Sequence, residues 1–344
     1  MYENGCEGFS SMGGAGLWRG LGQSVFLADV TPRDRDPGRI AATVIAGVCV
    51  GLVASIACWV LVLVPYAYLV GLGGQGLLGL GKVALMFKDA DAHDLGITVL
   101  RLVESTATDG AFPLAFVALA AIISGRHFLH YVTAARAVRW RLLLTGLALT
   151  FVAMAPLVIA SRLSAPGAAR MPILDITPGV GGRLVYGLAA LLLIPSAAAE
   201  ELMFRGWLLR QVAAFTRNPV VLILVTAIAF SAAHFDFAPD AFLTRLLMGC
   251  GFAYMTLRLG GIELATGAHA ANNILYILFI EPLAPATAAT QASGGGVLFG
   301  DLALVIGYVA IAEVVARVEH VRRWAGVEAG DVTAIAFSQA PAAA

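Results

Sequence analysis

Three short clusters of polar and ionisable residues interrupt the apolar stretches of this chain. In chain order they are Glu200, Glu201 and Arg205, then His234, then His269 and Asn273. Ionisable side chains are costly inside membrane-spanning helices and tend to face the bundle interior or a water-filled cavity. A carboxylate, an imidazole and a pair of donors are what water-mediated amide hydrolysis needs, because a base deprotonates water and donors stabilise the oxyanion.

Helical geometry separates the two carboxylates of the first cluster. Glu201 and Arg205 are four residues apart with the acid first, a spacing that suits an ion pair on one helix face. Glu200 lies about 100° further round the helix and has no such partner. An unpaired carboxylate in a low-dielectric pocket binds a proton more readily than one in water, so Glu200 is the candidate base.

The other two clusters have the same four-residue spacing. Phe230 and His234 share a helix face, so the ring can brace the imidazole, and His269 and Asn273 project together as neighbouring hydrogen-bond donors. Each cluster alone also fits a structural role, as an interfacial charge pair, a structural histidine or hydrogen bonds between helices. Three coincident clusters on three apolar stretches favour one shared site.

Composition indicates a membrane protein. Of 344 residues, 59% are apolar and 13% charged, against about 45–50% and about 25% in soluble domains. Because of this apolar composition, the lipid bilayer is its expected partner. Lys plus Arg (22) equals Asp plus Glu (22), so the chain lacks the basic surface that a nucleic-acid binder needs. The four cysteines are scattered, which predicts neither a disulfide framework nor a CxxC metal site.

The apolar stretches predict an all-α polytopic membrane helix bundle of about eight transmembrane helices. A spanning helix needs about 20 mostly apolar residues. The candidate spans are 40–64, 111–130, 142–161, 184–203, 219–235, 242–257, 262–281 and 297–316. Arg126 and His127 interrupt the second span, and the sixth is short and carries Arg245. Residues 77–87 are too short to cross, and we expect them on the surface.

Arginines predict the orientation. They flank the first span and fill every second connection, as the positive-inside rule requires of cytoplasmic loops, with the connection 162–183 as the exception. We therefore expect both termini in the cytoplasm. The first 39 residues lack the basic start and apolar region of a secretory signal, which favours a loose tail. Heavy use of Ala, Gly and Arg suggests a bacterial source and thus an inner-membrane location.

The motif residues resemble a known family. EELMFR (200–205) fits the motif EExxxR, FSAAH (230–234) fits FxxxH, and HAANN (269–273) fits HxxxN. Their order and spacing, with the Gly-rich apolar stretch 247–254, are similar to those of the CAAX-protease and bacteriocin-processing (CPBP, also called Abi) intramembrane endopeptidases. Each motif alone is weak, but the ordered set is specific.

The resemblance implies a role for each motif residue. Glu200 would be the general base, acting on water with His234. Glu201 and Arg205 would be the supporting pair, and His269 and Asn273 the oxyanion-stabilising pair. The family cleaves membrane-associated peptides, including removal of the last three residues after a prenylated cysteine in eukaryotic members. The implied partner is therefore a membrane-associated peptide or protein substrate.

A metal is the alternative to a metal-free glutamate mechanism. Glu200, His234 and His269 would suit a zinc site of two histidines and one carboxylate with an open position. The sequence lacks the HExxH zincin helix. We therefore expect no cofactor, with Zn²⁺ as the alternative.

The resemblance divides the chain into five parts and leaves two other functions open. The parts are a cytoplasmic tail (1–39), an accessory transmembrane region (40–183), a CPBP-like catalytic core (184–281), a final transmembrane helix (282–324) and a disordered tail (325–344).

A non-catalytic membrane scaffold or immunity protein of the same family would tolerate loss of Glu200. A proton-coupled transporter would need inverted repeats, and no repeat is visible.

Overall fold

The computed structural model describes residues 19–89, 94–164, 171–175, 179–280 and 296–334. Within these ranges the chain forms nine helices of eight or more residues and no strand, only an isolated bridge between Thr133 and Gly261. The helices are α1 (Pro37–Leu69), α2 (Gly76–Asp89), α3 (Leu95–Ser124), α4 (Trp140–Ser164), α5 (Gly179–Phe215), α6 (Pro219–Ala232), α7 (Pro239–Leu259), α8 (Glu263–Leu275) and α9 (Gly296–Arg317). The predicted all-α membrane helix bundle is confirmed.

Four of the described helices, α1, α3, α4 and α5, are long and apolar enough to cross a membrane by length and composition. The other four predicted spans coincide with α6 to α9. Of these, α6 has only 14 residues, and α7 carries Asp240, Arg245 and Arg258. α8 continues as a π-helical turn, Tyr276–Ile280. Beyond the four, the span count remains a prediction.

The second predicted span, 111–130, has the wrong bounds. α3 begins earlier because the Asp94 side chain accepts a hydrogen bond from the backbone N–H of Ile97 at 2.9 Å, which caps the helix. It ends at Ser124 because Gly125 adopts the left-handed conformation (φ 63°). Arg126 and His127 therefore lie beyond the helix. The short segment 77–87 forms α2, which exposes Leu77 and Leu78 as expected of a surface helix.

The centre of the bundle is α8, and every residue from 251 to 271 is buried. Glycines bring α4 and α8 together, since a Cβ added at Gly267 would lie 2.0 Å from the Leu143 carbonyl oxygen. Such small-residue crossings are typical of membrane helix pairs. α3 packs between α1 and α5, while α6, α7 and α9 pack in succession on the other side. Helices α5, α7 and α8 thereby meet in the interior.

Both ends of the described chain pack at the same end of α7. The hydroxyls of Ser24 and Thr333 donate to the Leu257 carbonyl at 2.6 and 2.7 Å, and Phe26 and Ala325 are fully buried. This packing differs from the loose tails expected here. Apolar side chains and acidic partners for the arginines hold these segments, and composition alone does not reveal such partners. Residues 1–18 and 335–344, part of the predicted tails, lie outside the described residues.

Candidate active site

The residues of the three motifs come from different elements, and both glutamates of the first motif meet His269 of the third. Its Nδ1 lies 2.9 Å from Glu201 Oε1, and its Nε2 lies 3.9 Å from Glu200 Oε2. Glu201 Oε1 also accepts a hydrogen bond from Arg205 Nη1 at 3.0 Å, so the predicted ion pair is present. Two carboxylates of α5 thus face opposite nitrogens of one imidazole of α8, a contact that spacing along the chain could not give.

A π-helical segment interrupts α5 directly after the two glutamates. It spans Leu202–Leu208 and contains Arg205; such bulges are frequent at functional sites. Arg205 Nη2 donates to the Gly249 carbonyl oxygen of α7 at 3.0 Å. Gly249 is needed there, because a Cβ would stand 3.1 Å from Nη2 and 3.0 Å from Ala227. The glycine-rich stretch of α7 therefore lets the arginine reach the helix backbone.

Glu201 and Arg205 are completely buried. Aromatic rings surround the guanidinium, whose Cζ lies 4.5 Å from the Phe230 ring centre and 5.4 Å from that of Phe252. Cation–π attraction and the carboxylate together offset the desolvation of the charge. Removing either charged partner would leave the other unpaired in the interior.

The same two rings fix the plane of His269. Phe252 stacks on the imidazole at 4.9 Å and 20°, and Phe230 meets it edge-on at 5.6 Å. Because the ionised Glu201 carboxylate can only accept, Nδ1 must carry the hydrogen of their bond; the tautomer follows from the network. Nε2 is thereby directed towards Glu200.

His234 follows the last turn of α6 and is exposed. Its Nδ1 lies 2.8 Å from the Phe230 carbonyl oxygen, to which it donates, and its ring meets the Phe230 ring at 5.0 Å. The predicted brace between these two side chains is present. With Nδ1 protonated, a neutral His234 keeps Nε2 as an acceptor. The loop continues through Phe235, whose φ of 54° is unusual for a non-glycine residue.

Asn273 lies one turn beyond His269 on α8 and is half-buried. The preceding residue, Asn272, contacts the sulfur of Met248 at 3.9 Å through its amide nitrogen. The site thus has its six predicted residues on α5, the loop after α6, and α8. Their catalytic roles remain predictions.

Sequence reasoning missed two carboxylates on α3, Glu104 and Asp109. Asp109 interacts electrostatically with both Glu104 and Glu200. The helices are close at this point, since a Cβ at Gly110 would touch the Cβ of Ala199 at 3.9 Å. Both carboxylates precede the predicted span 111–130, so they were not seen as intramembrane charges. A helix starting at Leu95 would have identified them.

The residues do not assemble the alternative zinc site. In the part of the chain that the structure describes, no group of three or more His, Cys, Asp or Glu side chains is placed to hold a metal ion. Glu200 and His269 are paired without His234 as a third ligand. The absence of a cofactor remains a prediction.

Comparisons with known proteins cover the same region. Residues 182–275 match the family model "Type II CAAX prenyl endopeptidase Rce1-like". The uncharacterized protein YyaK of Bacillus subtilis (strain 168) is 40% identical over 99 residues, covering 27% of this chain and 33% of YyaK. The chain thus matches about a third of that relative's length. No solved structure matches the chain significantly.

The matched region contains all six motif residues. It begins within α5, ends at Leu275 of α8, and includes the π-helical segment, α6 and α7. Helices α1 to α4 and α9 lie outside it. Residues 182–275, which hold the whole candidate site, are therefore similar to the Rce1-like type II CAAX prenyl endopeptidases.

Proposed function

We propose that this protein is an intramembrane endopeptidase of the glutamate type that hydrolyses a peptide bond of a membrane-associated substrate. The observation that carries the proposal is the convergence of Glu200 and Glu201 on opposite nitrogens of His269. Glu201 is fully buried and held by Arg205, whereas the Glu200 side chain keeps 22% of its surface exposed. One carboxylate is therefore fixed, and the other can meet water.

In the proposed reaction Glu200 takes a proton from water, and the water oxygen attacks the carbonyl carbon of the scissile bond. His234, with Nε2 as acceptor, helps to orient that water. Protonated His269 donates a hydrogen bond from Nε2–H to the oxyanion, while its Nδ1–H remains hydrogen-bonded to Glu201. The Asn273 amide, one helical turn further along α8, donates a second hydrogen bond to the oxyanion. The C–N bond then breaks, and Glu200 returns its proton to the leaving amine.

The proposed location is a bacterial inner membrane with both termini in the cytoplasm. The packing of residues 20–34 and 325–333 at one end of α7 supports a common side for the two chain ends. Arg126, Arg210 and Arg258 lie at that end, bonded to these segments. Under the positive-inside rule, this arginine-rich end faces the cytoplasm.

The experiment that tests the function is terminal-peptide proteomics of host membranes, comparing wild type with Glu200→Gln at matched expression. We expect new peptide termini with wild type only, which would also identify the substrate. Identical termini together with a wild-type phenotype in Glu200→Gln would contradict the proposal and favour the scaffold function. Glu104→Gln is the matched control, since it removes a neighbouring carboxylate that has no role in the proposed chemistry.

A further inference from the structure

Three polar atoms beneath the proposed active site are buried without a hydrogen-bond partner among the described residues. They are Glu201 Oε2, Arg205 Nε and the Tyr308 hydroxyl; a fourth unpartnered atom, Glu200 Oε2, lies in the site itself and faces His269 Nε2. Buried polar groups almost always form hydrogen bonds, because an unpaired group loses its hydrogen bonds to water and gains none in the protein. The three are chemically complementary: a carboxylate oxygen accepts, a guanidinium nitrogen donates, and a phenol does both.

Tyr308 comes from α9, outside the region that matches the family. It is fully buried, and its ring packs on that of Phe252 at 4.9 Å, the ring that stacks on His269. Tyr308 lies within electrostatic range of Glu201. Gly251 makes this approach possible, since a Cβ there would stand 2.7 Å from the tyrosine ring. Two glycines of α7 thus allow close approach, Gly249 to Arg205 and Gly251 to Tyr308.

The same helices contain a comparable tyrosine that does have a partner. Tyr254 is also buried between α7 and α9, and its hydroxyl donates to Glu313 Oε1 at 2.5 Å. That carboxylate also binds Arg258 at 2.7 Å. Each tyrosine is therefore associated with a Glu–Arg pair, but only the pair at the proposed site leaves polar atoms unpartnered.

We propose that Tyr308 is a positioning residue whose hydroxyl, together with Arg205 Nε, holds one buried water molecule against Glu201 Oε2. A buried water typically makes about three hydrogen bonds, and Glu201 Oε2, Arg205 Nε and the Tyr308 hydroxyl would supply three partners. With Oε2 held in this way, Glu201 cannot rotate, and Oε1 keeps Nδ1 of His269 in place. The inference rests on the proposed function, because its effect on the reaction passes through His269.

The test is Tyr308→Phe in the full-length protein reconstituted in vesicles, with Tyr254→Phe as the matched control. The substrate is a peptide spanning a cleavage site identified by the proteomic experiment. We expect Tyr308→Phe to lower kcat about tenfold, as for loss of a hydrogen bond to a charged group, with KM unchanged. Tyr254→Phe should leave both constants unchanged, because its hydroxyl serves the Glu313 pair.

Two kinetic results would overturn the inference. One is wild-type kcat in Tyr308→Phe; the other is an equal loss in Tyr254→Phe, which would indicate a general packing effect. A high-resolution structure gives a readout independent of activity: we expect an ordered water within hydrogen-bond distance of Glu201 Oε2 and the Tyr308 hydroxyl, and a dry contact there would contradict it. Glu200→Gln in the same assay separates the two proposals, because activity in that variant contradicts the function itself.

Discussion

Two buried Glu–Arg pairs in this molecule are satisfied to different degrees. At the N-terminus of α8, Arg139 donates from Nε and Nη2 to the two oxygens of Glu263, at 3.0 and 2.8 Å, and from Nη1 to the Leu259 carbonyl. At the proposed site Glu201 uses one oxygen for both Arg205 and His269, and its second oxygen has no partner among the described residues. Both pairs are almost fully buried.

The difference separates a structural charge pair from a functional one. A bidentate pair with both oxygens bonded fixes where α8 begins and has no remaining capacity to bind anything else. A pair that shares one oxygen with an imidazole couples the carboxylate to a group that exchanges protons. The comparison therefore predicts that loss of either pair destabilises the bundle, but only the second affects chemistry.

The largest expected effect is that of Glu201→Gln compared with Glu263→Gln. Glu201→Gln removes the carboxylate bonded to buried Arg205 and should reduce the free energy of unfolding by about 3–5 kcal/mol. Glu263→Gln leaves Arg139 with Asp331 alone, at 3.3 Å, and should also destabilise the protein, but by less. Unfolding in detergent micelles measures this loss, and cleavage is measured per folded molecule. Folded Glu263→Gln should cleave normally, whereas folded Glu201→Gln should not; equal activities would remove the distinction between the pairs.

A smaller effect is expected from Asp109→Asn on α3. Asp109 interacts electrostatically with Glu200, so its loss changes the charge beside the proposed base and should lower kcat about threefold to tenfold. Steady-state kinetics on reconstituted protein measures the change. Thr106→Val on the same helix is the control, since its hydroxyl bonds the Leu192 carbonyl at 3.1 Å and not the site. An unchanged kcat in Asp109→Asn would show that α3 only supports the bundle.

The smallest effect concerns the packed N-terminal segment. Burial would raise the pKa of Asp34, but two hydrogen bonds from Arg126 (2.7 and 2.6 Å) and its charge outweigh burial and hold the pKa below its ordinary value. Because the Asp34 pKa is lower in the folded than in the unfolded protein, ionised Asp34 stabilises the fold at pH values above the unfolded-state pKa. This stabilisation is lost as the pH falls through the folded-state pKa. Melting between pH 5 and 3 should reveal a loss of about 1 kcal/mol or less, absent in Asp34→Asn.

Spacing along the chain was sufficient for part of the site. The Glu201–Arg205 pair and the Phe230–His234 brace are contacts four residues apart, so helical periodicity predicts them. The ordered motifs also predicted the family resemblance, which the match over residues 182–275 confirms. Composition and apolar stretches gave the all-α membrane bundle.

Contacts between helices could not be predicted from spacing along the chain. Periodicity does not predict that Glu201 contacts His269. It also does not predict that Tyr308 of α9 lies beneath the site, because a tyrosine in an apolar stretch cannot be distinguished from an ordinary core residue. The bounds of α3 depended on the Asp94 cap and the left-handed Gly125, and the error concealed Glu104 and Asp109. The packing of residues 19–36, part of the predicted tail 1–39, could not be predicted because their partners lie elsewhere in the chain.

The central claim is that Glu200, and not its buried neighbour, activates water. Its most direct test is cleavage of an identified substrate peptide by purified, reconstituted Glu200→Gln, with Glu104→Gln alongside and folding verified by thermal melting. We predict that Glu200→Gln melts like wild type and loses at least about a hundredfold in kcat, as expected for removal of a general base, while Glu104→Gln cleaves. Full cleavage by a stably folded Glu200→Gln protein would contradict the account.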